Sequence, residues 1–148
     1  MGGHFYWYVV DYQSDIDAAL QQLREREFKA GRYSPVISFL SFPVGPQSAA
    51  PGPRHRSIRE AIKASGEGGT RSILDLERIT SRAEYSAASP LSEALLRELY
   101  GTTTPTREMV EPDLAFSEYM DERGQGIYIV LHRDGRPHEI LFAGYSFD

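Results

Sequence analysis

Several groups of side chains in this 148-residue chain have types and spacings that bear on chemistry. The first is basic. Arg54, His55, Arg56, Arg59 and Lys63 surround a predicted helix start. Free backbone N–H groups at such a start favour anions, and Arg59 and Lys63 share a helix face at i, i+4. Arg54, Arg56, Arg59 and Arg71 are therefore the candidate anion-binding residues, a clamp for phosphate or carboxylate. The simpler reading is a solvated basic face paired with local acids. Asp75 and Glu77 stand two apart. On a strand they would share a face and could serve as an acid/base pair beside that clamp.

The second group is acidic. Glu108, Glu111, Asp113, Glu118, Asp121 and Glu122 follow one another with no Lys or Arg between positions 108 and 122, and Phe116, Tyr119 and Met120 are interleaved. An acidic surface with aromatic anchors suits rapid, tight docking on a basic cleft. Glu111, Asp113, Glu118, Tyr119, Asp121 and Glu122 are the candidate partner-binding residues. The plainer reading is an amphipathic helix that buries Leu114, Phe116 or Tyr119 and leaves its acids to water.

The remaining signals are weaker. His4, His55, His132 and His138 form no HxH, HxxxH or HExxH spacing. His132 and His138 flank a predicted turn and would need a carboxylate such as Glu139 to hold a metal; surface strand histidines are the simpler and favoured reading, and no metal site is assigned. The run Gly66-Glu67-Gly68-Gly69-Thr70-Arg71-Ser72 matches neither a Walker A nor a Rossmann fingerprint. It reads as a turn whose Thr70, Arg71 and Ser72 could face a ligand. With no cysteine in the chain, thiolate nucleophiles, disulfides and Cys-based metal sites drop out. No cofactor is implied.

These residues must be positioned by a scaffold, and the pattern predicts one. His4 to Tyr12 reads as a strand with bulky residues on both faces, hence central in its sheet. Ser14 caps a helix carrying Ile16, Ala19, Leu20 and Leu23 on one stripe, which Gly31 stops. Pro35 to Leu40 suggests a short edge strand, and 41–53 a long surface loop. Ser57 and Glu60 form a capping box for a helix ending at Gly66. Residues 70–79 favour a strand through Ile73, Leu74 and Leu76, followed by a loop. Ser89-Pro90 starts a helix with Leu91, Leu95, Leu96 and Leu99 inward, ended by Gly101. Thr104-Pro105 opens a helical segment that Pro112 interrupts and that resumes over 113–122. Ile127 to His132 and Glu139 to Phe147 are strands joined at Asp134-Gly135, a strong hairpin signal. The aromatic end, with Gly144, Tyr145 and Phe147, reads as docked in the sheet or lining a pocket.

The expected fold is a single α+β domain over 1–148. It has a mixed or antiparallel sheet of about four to five strands, helices mainly on one face, and a C-terminal β-hairpin. Residues 1–74 hold 9 basic and 7 acidic side chains and residues 75–148 hold 7 and 14, within a net charge of −5. That field disfavours nucleic acid and favours a cationic partner. No secretory leader or membrane span is evident, so a soluble cytoplasmic protein is expected, with no membrane association.

In composition the chain is similar to small bacterial-type immunity proteins, which neutralise a toxin by binding it. That likeness is one of class and assigns no residue. Three functions follow as expectations. The first is a binding or inhibitory protein that docks its acidic surface on a basic protein such as a toxin. The second is an enzyme for a small anionic or nucleotide-like substrate. The third is a homo-oligomeric subunit in which an exposed aromatic strand pairs with a second copy.

Overall fold

The computed structural model describes residues 3–120 and 122–148. Its elements are β1 (Phe5–Asp11), α1 (Ile16–Ala30), α2 (Ile58–Ser65), β2 (Arg78–Ile79), β3 (Ala87–Pro90), α3 (Glu93–Tyr100), α4 (Arg107–Val110), β4 (Gly126–Arg133) and β5 (Arg136–Tyr145). Short 3-10 turns occupy Phe39–Ser41, Gly66–Gly68, Ile73–Asp75 and Ala115–Tyr119. The five strands form one sheet in the order β1-β5-β4-β3-β2. The β1–β5 and β5–β4 pairs are antiparallel and the β4–β3 and β3–β2 pairs parallel. This is the expected α+β fold with a mixed sheet and a closing hairpin.

The hairpin turns on Asp134 and Gly135, at φ 52° and 76°, the left-handed pair that a type I′ turn requires. Side chains then alternate between two apolar layers. Tyr6, Tyr8, Ile140 and Phe142 join Ala19, Leu20, Leu23 and Phe28 of α1 in one cluster. Leu141, Ala143 and Ile129 join Leu96 of α3, Val110 of α4 and Phe116 in the other, with Phe5, Trp7 and Val9 packed against it. The larger helical share, α1 and α2 with 15 and 8 residues, covers the first face, and α3 and α4 with 8 and 4 cover the second. The ladder between β4 and β5 is irregular only between Leu131 and His132.

Local chemistry sets the helix ends. Asp15, not Ser14, caps α1, its Oδ1 accepting the Ala18 N–H at 2.9 Å. Gly31 ends α1 at φ 76°, and the backbone of Gly52 lies against it where any Cβ would collide. The loop across 41–53 is thereby pinned, with Gly52 N–H bonded to Ala30 O at 2.9 Å. Ser57 Oγ accepts the Glu60 N–H at 3.2 Å, and the Glu60 carboxylate reaches back to Arg56 N at 3.3 Å, close to the expected capping box.

Several expectations need correction. β1 is an edge strand, not central; its two bulky faces arise because both apolar layers extend to that edge. Residues 35–40 form no strand: turns and the 3-10 segment at Phe39–Ser41 replace it, leaving Phe39 56% and Leu40 86% exposed. Ile73, Leu74 and Leu76 lie in and after a 3-10 turn capped by Ser72, and all three are buried in the one cluster beneath α1; a strand would have sent the adjacent Ile73 and Leu74 to opposite layers. The expected loop before residue 89 contains β3, whose Ala88, Ser89 and Pro90 pair with Gly126, Ile127 and Tyr128 of β4. The cap of α3 is consequently Ser92, whose Oγ accepts the Leu95 N–H at 3.2 Å. Leu91 and Leu96 flank that cap inside one cluster, at the two positions of a hydrophobic staple. Over 113–122 the chain makes a 3-10 turn at Ala115–Tyr119 after a left-handed Leu114, φ 48°, in place of an α-helix.

Candidate functional site

The acidic segment is a band held from beneath and charged on top. Val110 and Phe116 are fully buried and Met120 nearly so, all in the second apolar cluster. Phe116 sits 6.3 Å from the Phe5 ring. Outward from these anchors, Glu108, Asp113, Glu118 and Glu122 are exposed. Met109 and Tyr119 are exposed as well, at 48% and 51%. Leu114 is only partly buried.

The carboxylates are not equivalent. Glu111 is half-buried and bonded to Arg107, which also donates to Glu139 at 2.9 Å. Its charge is therefore largely answered within the chain. Asp113 accepts the Ala115 N–H at 3.1 Å, a turn-stabilising bond that leaves its charge on the surface. Glu118 and Glu122 make no ion pair among the described residues. Asp121 lies outside the described residues.

The four candidate basic residues line neither of the two clefts described below. Arg54, Arg56 and Arg59 are exposed around the start of α2. The cap there is already engaged by Ser57 and Glu60, and His55 is held by the Tyr33 hydroxyl at 2.9 Å. Arg71 is engaged within the chain, bonded to Asp148, 3.4 Å from Ser34 Oγ and stacked over the Phe39 ring at 5.0 Å. Asp75 is buried and Glu77 exposed, so they share neither a strand nor a face. Thr70 and Ser72 are fully buried around Asp75 and are structural.

Two surface clefts are open. One, of about 280 Å³, lies between the end of β1 and α1, lined by Val10, Tyr12, Ala19, Gln22, Leu23 and Arg26 among others. The other, of about 230 Å³, is lined by Arg107, Glu108, His132, Arg133, His138 and Glu139. The expected neighbourhood of His132, His138 and Glu139 thus exists, but Glu139 is committed to Arg107. No group of three or more metal-ligating side chains is assembled among the described residues.

Two features escaped sequence reasoning. Asp148 gathers Arg71, Ser146 Oγ at 2.7 Å and His4 Nδ1 at 3.3 Å, joining residues up to 144 positions apart. Burial pushes the Asp148 carboxyl up, but the Ser146, Arg71 and His4 bonds outweigh it and hold it below the ordinary range. Inside α1, Glu27 is buried and paired with Arg32 at 2.7 Å. Gly144 lies against Tyr6: a Cβ there would stand 2.5 Å from the phenol oxygen. The glycine is a packing requirement and not the rim of a pocket.

No family model matches the chain, and no significant match is found to a curated protein or to a solved structure. No described helix is long and apolar enough to cross a membrane.

Proposed function

We propose that this chain is a binding or inhibitory protein, of the immunity-protein kind, that docks the surface built by residues 108–122 on a basic protein partner. One observation carries the reading. A single segment presents Glu108, Asp113, Glu118 and Glu122 to solvent beside exposed Met109 and Tyr119, while Val110, Phe116 and Met120 fix it from below. Fixed carboxylates steer encounter, and a half-exposed aromatic among them supplies an anchor without a large ordering cost. Glu118, Tyr119 and Glu122 are the central contacts, together with Asp121 by its place in the sequence. Glu111 acts through its pairing with Arg107. The alternative of an anionic-substrate enzyme needs a clamp of Arg54, Arg56, Arg59 and Arg71, but Arg71 is engaged by Asp148 and neither described cleft is lined by any of the four.

The test is charge reversal on a purified pair. The partner is isolated by co-purification with the wild-type chain, and its association rate and affinity are measured over a salt series. A basic partner is expected, with binding that weakens as salt rises and an association rate that falls by at least about tenfold for Glu118→Lys with Asp121→Lys and Glu122→Lys. An isolated partner whose binding ignores both salt and the triple reversal would remove the acidic surface from the account.

A further inference from the structure

The outer edge of β1 carries hydrogen-bonding groups that no described residue engages. In the β1–β5 ladder, Ser146 N–H bonds to His4 O at 2.9 Å and Tyr12 N–H to His138 O at 3.0 Å. Antiparallel ladders alternate strictly, and the register runs unbroken from Phe5 opposite Tyr145 to Asp11 opposite Glu139. The even positions therefore face β5. The N–H and C=O groups of Phe5, Trp7, Val9 and Asp11 point away from the sheet, and no bond to them occurs among the described residues. The opposite edge, β2, is only two residues long. β1 has seven residues, no proline and no Lys or Arg; its one charge is Asp11 at the end. It lacks most devices that keep an edge single.

We infer that two copies of this chain join edge to edge through β1, antiparallel about a two-fold axis beside Tyr8. Backbone parity fixes the register. Outward residues must face outward residues, and all four are used on both copies only when Phe5 lies opposite Asp11 of the second copy and Trp7 opposite its Val9. Trp7 and Val9 are both half-buried now, and an aromatic beside a β-branched residue is a favourable cross-strand pair.

A second observation selects a copy of this chain as the occupant. The exposed tip Phe39-Leu40 packs on His4, ring to ring at 5.1 Å, at the first end of β1 and on the α1 face. The open cleft of about 280 Å³, lined by Val10, Tyr12, Ala19 and Leu23 and by polar side chains that include Gln22 and Arg26, lies on the same face at the other end of β1. A two-fold axis normal to the sheet keeps the face and exchanges the ends. It brings His4 beside Tyr12 of the second copy, so each apolar tip approaches the other copy's cleft. A foreign strand would satisfy the edge but would not supply the tip.

Each chain carries a net charge of −5, so salt should strengthen this self-association by screening repulsion. The proposed docking on a basic partner weakens with salt, so the two readings fail independently. The experiment uses the purified full chain in sedimentation velocity over a concentration and salt series, with residue-resolved amide exchange at both concentration extremes. A dimer favoured by salt is expected. In it, the amides of Trp7, Val9 and Asp11 exchange at least about tenfold more slowly than in the dilute chain, while those of Tyr6, Tyr8 and Val10 stay unchanged. Leu40→Asp, at a position 86% exposed, should weaken the dimer at least about tenfold without altering the fold. Val9→Lys should do the same from the edge. A chain that stays monomeric throughout overturns the inference. A dimer in which the three outward amides exchange as fast as in the dilute chain overturns it as well, as does one indifferent to both substitutions.

Discussion

Asp75 receives both the backbone N–H and the hydroxyl of Thr70 on one carboxylate oxygen, each at 2.8 Å, while its other oxygen is buried without a partner among the described residues. Half of the carboxylate thus organises the turn that replaces the expected strand, and half is simply desolvated. Burial pushes its pKa up to about 6, against the pull of the Thr70 bonds. Tyr6, Tyr8, Arg24 and Asp148 are the titratable groups that face it among the described residues.

A raised carboxyl pKa means that the folded chain holds a proton which the unfolded chain releases nearer pH 4. This contribution is therefore present at low pH and lost as pH rises through about 6. Asp75→Asn removes the titration. In urea unfolding, the stability of the variant relative to the wild type should rise by about 2 kcal/mol between about pH 4 and about pH 7. A difference that stays flat with pH would show that Asp75 titrates as in the unfolded chain.

Asp148 should behave in the opposite sense. Its carboxyl is held below the ordinary range, so its stabilising bonds exist above that range and are lost on acidification. Asp148→Asn is expected to cost about 1 kcal/mol near neutral pH and progressively less as the pH falls below the ordinary carboxylate range. The same variant should free the Phe39 tip, because Arg71 spans Asp148 and the Phe39 ring. Faster amide exchange at residues 38–42 would report that release.

Glu27 is 2% exposed and accepts two bonds from Arg32, at 3.0 and 2.7 Å. Glu27→Ala leaves a guanidinium without its partner and should cost about 3 kcal/mol. Glu27→Ala combined with Arg32→Met should recover part of that loss. A double variant no more stable than the single one would contradict a pairing cost.

Gly144→Ala drives a methyl to 2.5 Å from the Tyr6 phenol oxygen and should destabilise by about 2 kcal/mol. That oxygen is buried with no hydrogen-bond partner among the described residues. Tyr6→Phe should therefore be mild alone and should rescue only part of the Gly144→Ala loss, since ring atoms Cζ and Cε1 stay 2.7 and 3.0 Å from the added methyl. Strict additivity of the two would place the strain elsewhere.

The closing hairpin was legible in the sequence because one dipeptide, Asp134-Gly135, dictates a turn that nothing else satisfies. α1 was legible from its stripe and from Gly31. The sequence marks β1 as a strand but not its place in the sheet: bulky residues on both faces report two covered faces, and an edge strand under two layers meets that condition as well as a central one does. β3 was invisible, since Ala87, Ala88, Ser89 and Pro90 carry no strand preference and owe their conformation to pairing with β4. Residues 72–76 misled because Ile73, Leu74 and Leu76 signal only burial, and Asp75 buried among them inverts the usual rule. The exposure of Glu118 and Glu122 followed from their charge. The engagement of Glu111 by Arg107 and of Arg71 by Asp148 required the fold, which brings the latter pair together across 77 positions.

The alternation of Ile140, Leu141, Phe142 and Ala143 between two apolar layers has a mechanical consequence. Sliding β5 by a single residue would send each of these side chains into the layer built for its neighbour, on both sides at once. Neither layer could relax by exposing its misfit to water. The strand is keyed like a bolt cut on two faces, and the ladder tolerates its one irregularity beyond that stretch, at Leu131 and His132, where the facing Pro137 and His138 are already in solvent.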